Sequence, residues 1–193
     1  KSTRIRISEP LLTMLFLATG GKLKRATRAT PSVGTLSMIT YFFTLVLKSA
    51  GPLLANIEDT LYEAGCSDAL VCSFNGTVYL EFDRQAKSPQ EAITLAIENV
   101  QTAGLSIASV QEGGVASMAE IASRSKLTRA AINNYIKCTR GPGNFPEPVY
   151  GLTSGSPLYS WPDVAVWLHQ HGKVNHSVMA TSKAAQDISL KRL

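Results

Sequence analysis

Ser117-Met118-Ala119-Glu120-Ile121-Ala122-Ser123-Arg124, then Ser125-Lys126-Leu127, then Thr128-Arg129-Ala130-Ala131-Ile132-Asn133-Asn134-Tyr135-Ile136, is the stretch on which the fold turns. Ser117 with Glu120 three residues later is a capping box, which satisfies two otherwise orphaned backbone donors at a helix start. Met118, Ile121 and Ala122 supply the inward stripe, and the small Ala122 lets a second helix cross closely. Ser125-Lys126-Leu127 reads as a short turn with an apolar anchor. Thr128 caps the next helix, predicted over 128–139, with Ile132, Tyr135 and Ile136 facing inward. The pattern predicts two short crossed helices joined by a tight turn.

At about 100° per residue the outward face of the second helix carries Ala130, Asn133, Asn134, Lys137 and Arg140, with Arg129 on its flank. Arginine and lysine neutralise phosphates and grip guanine, and asparagine pairs bidentately with adenine. The small Ala130 permits close approach to a groove floor. Thr128, at the start of the helix, and Lys126, in the turn before it, join the set of expected DNA contacts. A further turn, Thr153-Ser154-Gly155, lies between two short strand-like runs and adds Thr153 and Ser154 to that set.

The same stretch, SMAEIASRSKLTRAAINNYI, resembles the helix-turn-helix of excisionase and AlpA-type phage regulators, relatives of the MerR winged helix. Phe145-Pro146-Glu147-Pro148-Val149 resembles the lead-in to the wing in that family. Ser156-Pro157-Leu158-Tyr159-Ser160-Trp161 resembles its returning strand, and Pro162-Asp163-Val164-Ala165-Val166-Trp167-Leu168 its closing helix. The likeness covers about 56 of 193 residues, and the order and spacing of the four pieces agree. Residues 41–172 together resemble bacterial DNA-binding proteins that pair such a unit with an N-terminal module. Two positions depart from the pattern. Lys126 stands where the family usually has glycine, which costs on the order of 1 kcal/mol if the backbone there is left-handed. Ser160 stands where arginine often precedes the tryptophan, removing one phosphate contact that the family implies.

Upstream, residues 41–112 read as β-α-β-β-α-β. Tyr41 to Leu47 is rich in aromatic and β-branched residues and reads as a strand. Leu53 to Ala64 has helical apolar spacing, and Gly65 closes it. Asn75-Gly76 between two apolar runs predicts a tight hairpin joining 69–74 to 77–82. Ser88-Pro89 opens a helix lined by Ala92, Ile93, Leu95, Ala96, Ile97 and Val100 and ended by Gly104, and 105–110 is the last strand. The expected class is therefore α+β: a ferredoxin-like sandwich followed by a small winged helix-turn-helix. The expected divisions are a poorly structured basic leader over 1–40, the sandwich over 41–112, a linker over 113–116, the winged unit over 117–172 and a flexible tail over 173–193. Ala184 to Leu193 reads as a frayed end or a weak helix.

The formal net charge of +5 is unevenly spread. Residues 1–40 carry +6, residues 41–116 carry −6, residues 117–173 carry +3 and the tail +2. The acidic block would repel DNA, so it is expected to face away from a duplex. The leader, basic residues then Leu11 to Ala18, has the outline of a secretory signal but lacks a small-residue cleavage site, and residues 1–37 read as a non-conserved leader or an upstream extension of the reading frame. No run is long enough to span a bilayer. Cys66, Cys72 and Cys138, with His169, His171 and His176, have no ligand spacing, so no metal or other cofactor is expected. Plain reduced thiols fit a cytoplasmic location. Trp161 and Trp167 are expected in the core rather than as a stacking platform.

The function these readings imply is a sequence-specific regulator of transcription that binds double-stranded DNA, prophage- or mobile-element-like, and works as a homodimer. Two other readings stay open: an antitoxin-like module that binds a protein partner through 41–112 and only autoregulates on DNA, and a DNA-bending factor for phage excision. An enzyme is not expected, because no nucleophile–base pair is visible.

Overall fold

A computed structural model describes residues 2–6, 38–48 and 56–191, with side chains for 38–48 and 56–191. The remainder of the expected leader and the start of the expected 53–64 helix lie outside the described residues. The class is α+β, with two antiparallel sheets and six helices among the described residues.

The first sheet has the order β1-β3-β4-β2-β5, formed by β1 (Ser2–Arg6), β2 (Ile39–Leu47), β3 (Ala69–Phe74), β4 (Thr77–Ala86) and β5 (Ile107–Val110), every neighbour antiparallel. Asn75 and Gly76 both take positive φ, 49° and 82°, as the β3–β4 turn requires. α1 (Ile57–Glu63) follows β2, and α2 (Pro89–Thr102) follows β4. Ser88 caps α2 by accepting from the Glu91 amide at 3.2 Å. Alternation along β2 sends Tyr41, Phe43, Leu45 and Leu47 inward, where they meet Leu80, Phe82, Ile93 and Ile97. Phe43 and Phe82, opposite each other in register, stack with centroids 5.1 Å apart. Leu95, expected in this core, is exposed: it sits on the solvent side of α2 between the buried Ala92–Ile93 and Ala96–Ile97 pairs. Arg84 is buried on β4 but paired, its guanidinium donating to both Asp68 oxygens at 2.6 and 2.7 Å.

The second sheet, β6-β8-β7, is built from β6 (Val115–Ser117), β7 (Pro148–Tyr150) and β8 (Leu158–Ser160). Between β6 and β7 come α3 (Met118–Ser125) and α4 (Arg129–Ile136), and α5 (Trp161–Gln170) follows β8. Its core gathers Ala116, Ile121, Ile132, Phe145, Tyr159, Trp161, Val164 and Leu168.

Three expectations change. The 113–116 linker is ordered structure: Val115 pairs with Ser160, and the Gly114 carbonyl accepts from the Trp161 amide at 3.0 Å. Gly113 lies so close to the next element that an added Cβ would sit 2.7 Å from backbone atoms of Ala185 and Gln186. That element is α6 (His176–Lys191), where a flexible tail was expected. Its Ala184 and Ala185 are buried in the first core and Ile188 packs there, while Val178 packs against the second core. Small residues let this helix come close to the chain at Gly113, and small residues give a weak hydrophobic period, which is why it reads as polar and unstructured in sequence. Lastly, residues 2–6 of the expected leader form an edge strand on β3, and β2 begins at Ile39.

Candidate nucleic-acid interface

The capping box forms as the sequence implies. Ser117 Oγ accepts from the Glu120 amide at 3.3 Å, and the Glu120 carboxylate accepts from the Ser117 amide at 2.7 Å. α3 ends at Lys126, which is left-handed at φ 57° and ψ 28°. A side chain with a Cβ is strained there. Replacing Lys126 with glycine is expected to stabilise the chain by about 1 kcal/mol. In thermal unfolding followed by circular dichroism, the midpoint should rise by roughly 2–4 °C.

Leu127 then tucks toward the second core, and Thr128 caps α4 by accepting from the Ala131 amide at 3.1 Å. α4 is shorter than expected. It stops at Ile136, with Lys137 at the C-cap and Cys138 left-handed at φ 51°. The amide of Thr139 turns back to the Asn134 carbonyl at 3.0 Å, so residues 137–140 form a closing turn rather than a further helical turn.

The outward residues of α4 divide by exposure. Thr128, Arg129, Ala130 and Lys137 are exposed, and so are Arg140 beyond the helix and Lys126 before it. Asn133 and Asn134 are half-buried. Their amides differ. Asn134 Oδ1 accepts from the Thr139 hydroxyl at 3.3 Å, which ties it to the closing turn. The Asn133 side chain has no hydrogen-bond partner among the described residues. Lys126, Thr128, Arg129, Ala130, Asn133 and Lys137 thus run as an open ridge from turn to helix end, and no other described element covers its cations.

Behind that ridge an aromatic cluster fixes α4. Trp167 of α5 lies 5.3 Å from Tyr135 and 5.0 Å from Phe145, centroid to centroid, and Phe145 lies 5.8 Å from Tyr159 of β8. The Trp167 indole donates to the Gly143 carbonyl at 3.0 Å, which pins the loop between α4 and β7. Both tryptophans are core residues, as expected. Ser160 caps α5 and accepts from the Asp163 amide at 3.5 Å.

The β7–β8 hairpin loop presents Thr153 and Ser154 in the open, with Ser154 Oγ donating back to the Gly151 carbonyl at 3.1 Å. Val149, Tyr150 and Leu152 are exposed too, Tyr150 at 65% and Leu152 at 68%. None of these three is among the contacts expected from the sequence. Their signal was visible as apolar side chains flanking a tight turn on a short edge strand, where polar residues are ordinary.

The electrostatics single out three further groups. Burial pushes the Arg124 guanidinium below its ordinary value, opposed by Glu112 and Glu120. Burial pushes the Glu112 carboxyl above its ordinary value, opposed by the Thr44 amide, which donates to it at 2.8 Å. The Cys66 thiol is raised to about 11, chiefly by burial, so it stays protonated and unreactive at neutral pH.

Among the described residues no three His, Cys, Asp or Glu side chains gather as a metal site, and no helix is long and apolar enough to cross a membrane. No protein-family model, curated protein or solved structure matches the chain.

Proposed function

We propose that the chain is a sequence-specific double-stranded DNA-binding regulator of the excisionase-like, winged helix-turn-helix type. In this reading α4 enters the major groove and the β7–β8 wing touches backbone. One observation carries it: the open ridge of Lys126, Arg129, Asn133 and Lys137 on the second of two crossed, capped helices. Asn133 has an uncommitted amide at the height where the second helix meets base edges, and the surrounding cations suit phosphates. The order β6-α3-α4-β7-β8-α5, with its three-stranded sheet, supports a winged unit.

The first sheet is read as a ferredoxin-like module, supported by its strand order β3-β4-β2-β5 and its β-α-β-β-α-β succession. Its acidity turns it away from the duplex and leaves it to pair two copies of the chain. Pairing is the ordinary way for a small unit to read enough base pairs.

The test is selection of DNA by the full chain from a random duplex library, followed by anisotropy titration. Asn133→Ala is expected to weaken binding by about 1–3 kcal/mol and relax the preference at one base position. Lys137→Ala is expected to weaken all sequences alike and to lower the salt slope by about 1. Absence of any enriched sequence, or an Asn133→Ala profile identical to the parent, overturns the reading.

A further inference from the structure

A cavity of about 300 Å³ lies where the two cores meet, beside the open end of β2. β5 pairs with β2 only over Leu45–Leu47, and the chain then leaves through Gln111–Gly113. On that side of β2 the Thr44 amide is taken by the Glu112 carboxylate at 2.8 Å. The cavity walls come from both units: Phe42, Glu81 and Glu112 from the sheet side, Arg124 and Trp161 from the helical side, and Val178 from α6.

Arg124 is the anomaly. Both of its terminal nitrogens are buried and neither has a hydrogen-bond partner. Its guanidinium lies over Trp161, 5.2 Å from the ring centroid, and among the described residues no carboxylate comes within ion-pair distance of it. Buried guanidinium groups are ordinarily satisfied, and an unsatisfied one beside a cavity calls for a counter-ion. The two-pronged donor geometry of arginine matches a carboxylate. Phe42, Trp161 and Val178 favour an apolar body, and Glu81 and Glu112 repel a multiply charged anion such as phosphate more strongly than a singly charged one. The volume stands at the small end of ordinary ligand pockets, which run from roughly 300 Å³ upward.

We infer that this cavity is a binding site for a small monocarboxylate with an apolar body, whose carboxylate takes the two free nitrogens of Arg124 and whose body lies between Phe42 and Val178. The guanidinium, held by stacking rather than by hydrogen bonds, reorients on its stem to meet the carboxylate. The inference does not depend on DNA binding, because it concerns the junction between the two units and not the α4 ridge.

The probes are benzoate and phenylacetate, with neutral benzamide and inorganic phosphate as contrasts, titrated into the full-length chain. The readout is the pair of tryptophan indole N–H resonances in a two-dimensional nitrogen–proton spectrum. At least one of the two carboxylates is expected to shift the Trp161 resonance saturably and leave that of Trp167, which is committed to Gly143, in place. Benzamide and phosphate are expected to do neither. Arg124→Met should weaken carboxylate binding roughly 10- to 100-fold, the range for a lost hydrogen bond to a charged group. Val178→Phe, which fills the cavity from α6 and leaves Arg124 in place, should block binding as well. The inference is overturned if neither carboxylate saturates, if benzamide or phosphate binds equally well, or if a folded Arg124→Met or Val178→Phe binds as the parent does. Should a variant fail to fold, the comparison of benzoate and phenylacetate with benzamide on the parent chain decides alone.

Discussion

Ala185→Asp is expected to cost about 3–5 kcal/mol, the penalty for leaving a charge buried and unpaired. Ala185 is fully buried on α6, in the same core as Leu45, Leu80 and Ile97, and Gly113 passes against its backbone. The buried residues gathered in that core are apolar. Urea unfolding followed by circular dichroism measures the loss as a lower midpoint. Substitution of the exposed Lys183 by aspartate, on the same helix, is the control and should stay within about 0.5 kcal/mol. Equal and small effects at both positions would mean that α6 does not dock, and that the last segment is the loose end its sequence implies.

Trp167→Ala is expected to cost about 3–5 kcal/mol, as buried aromatic-to-alanine changes do. The indole is 6% exposed and meets Tyr135 of α4, Phe145 of the following loop and His171 at the end of α5. Its removal opens a void among three elements and leaves the Gly143 carbonyl without its donor. Trp167→Phe should recover most of the loss, because it keeps ring packing and gives up one hydrogen bond, about 1 kcal/mol net. Denaturant titration of the two variants separates packing from hydrogen bonding. A loss below about 1 kcal/mol for the alanine variant would show that the ring is not the post against which α4 is set.

Much of the helical unit was legible because its signals are local. Ser117 and Glu120, Thr128, and the apolar stripes of both helices are determined within a few residues of each other, and each formed as the pattern implied. The Asn75-Gly76 turn was legible for the same reason, since only such residues take two successive positive φ angles cheaply. The end of α4 was misjudged because its stop is a left-handed cysteine, and Cys138 carries no stop signal of the kind glycine does. α6 was anticipated only as a frayed end or weak helix over 184–193, because its buried face is alanine, serine and threonine, whose inward positions are dictated by Gly113 and β5 far off in sequence. Arg124 was likewise invisible as a special residue. On a helix surface its spacing reads as ordinary solvated charge, and its place over Trp161 and its pull from Glu112 both come from segments distant in sequence.

The return of α6 to the first sheet has a mechanical corollary. The unit from β6 to α5 is spliced into the first-sheet unit between β5 and α6, so the polypeptide leaves one body and comes home to it. A bead on a single string swivels freely; a bead threaded on a closed loop is gimballed at two points. A tilt of one unit against the other would therefore have to strain both seams at once.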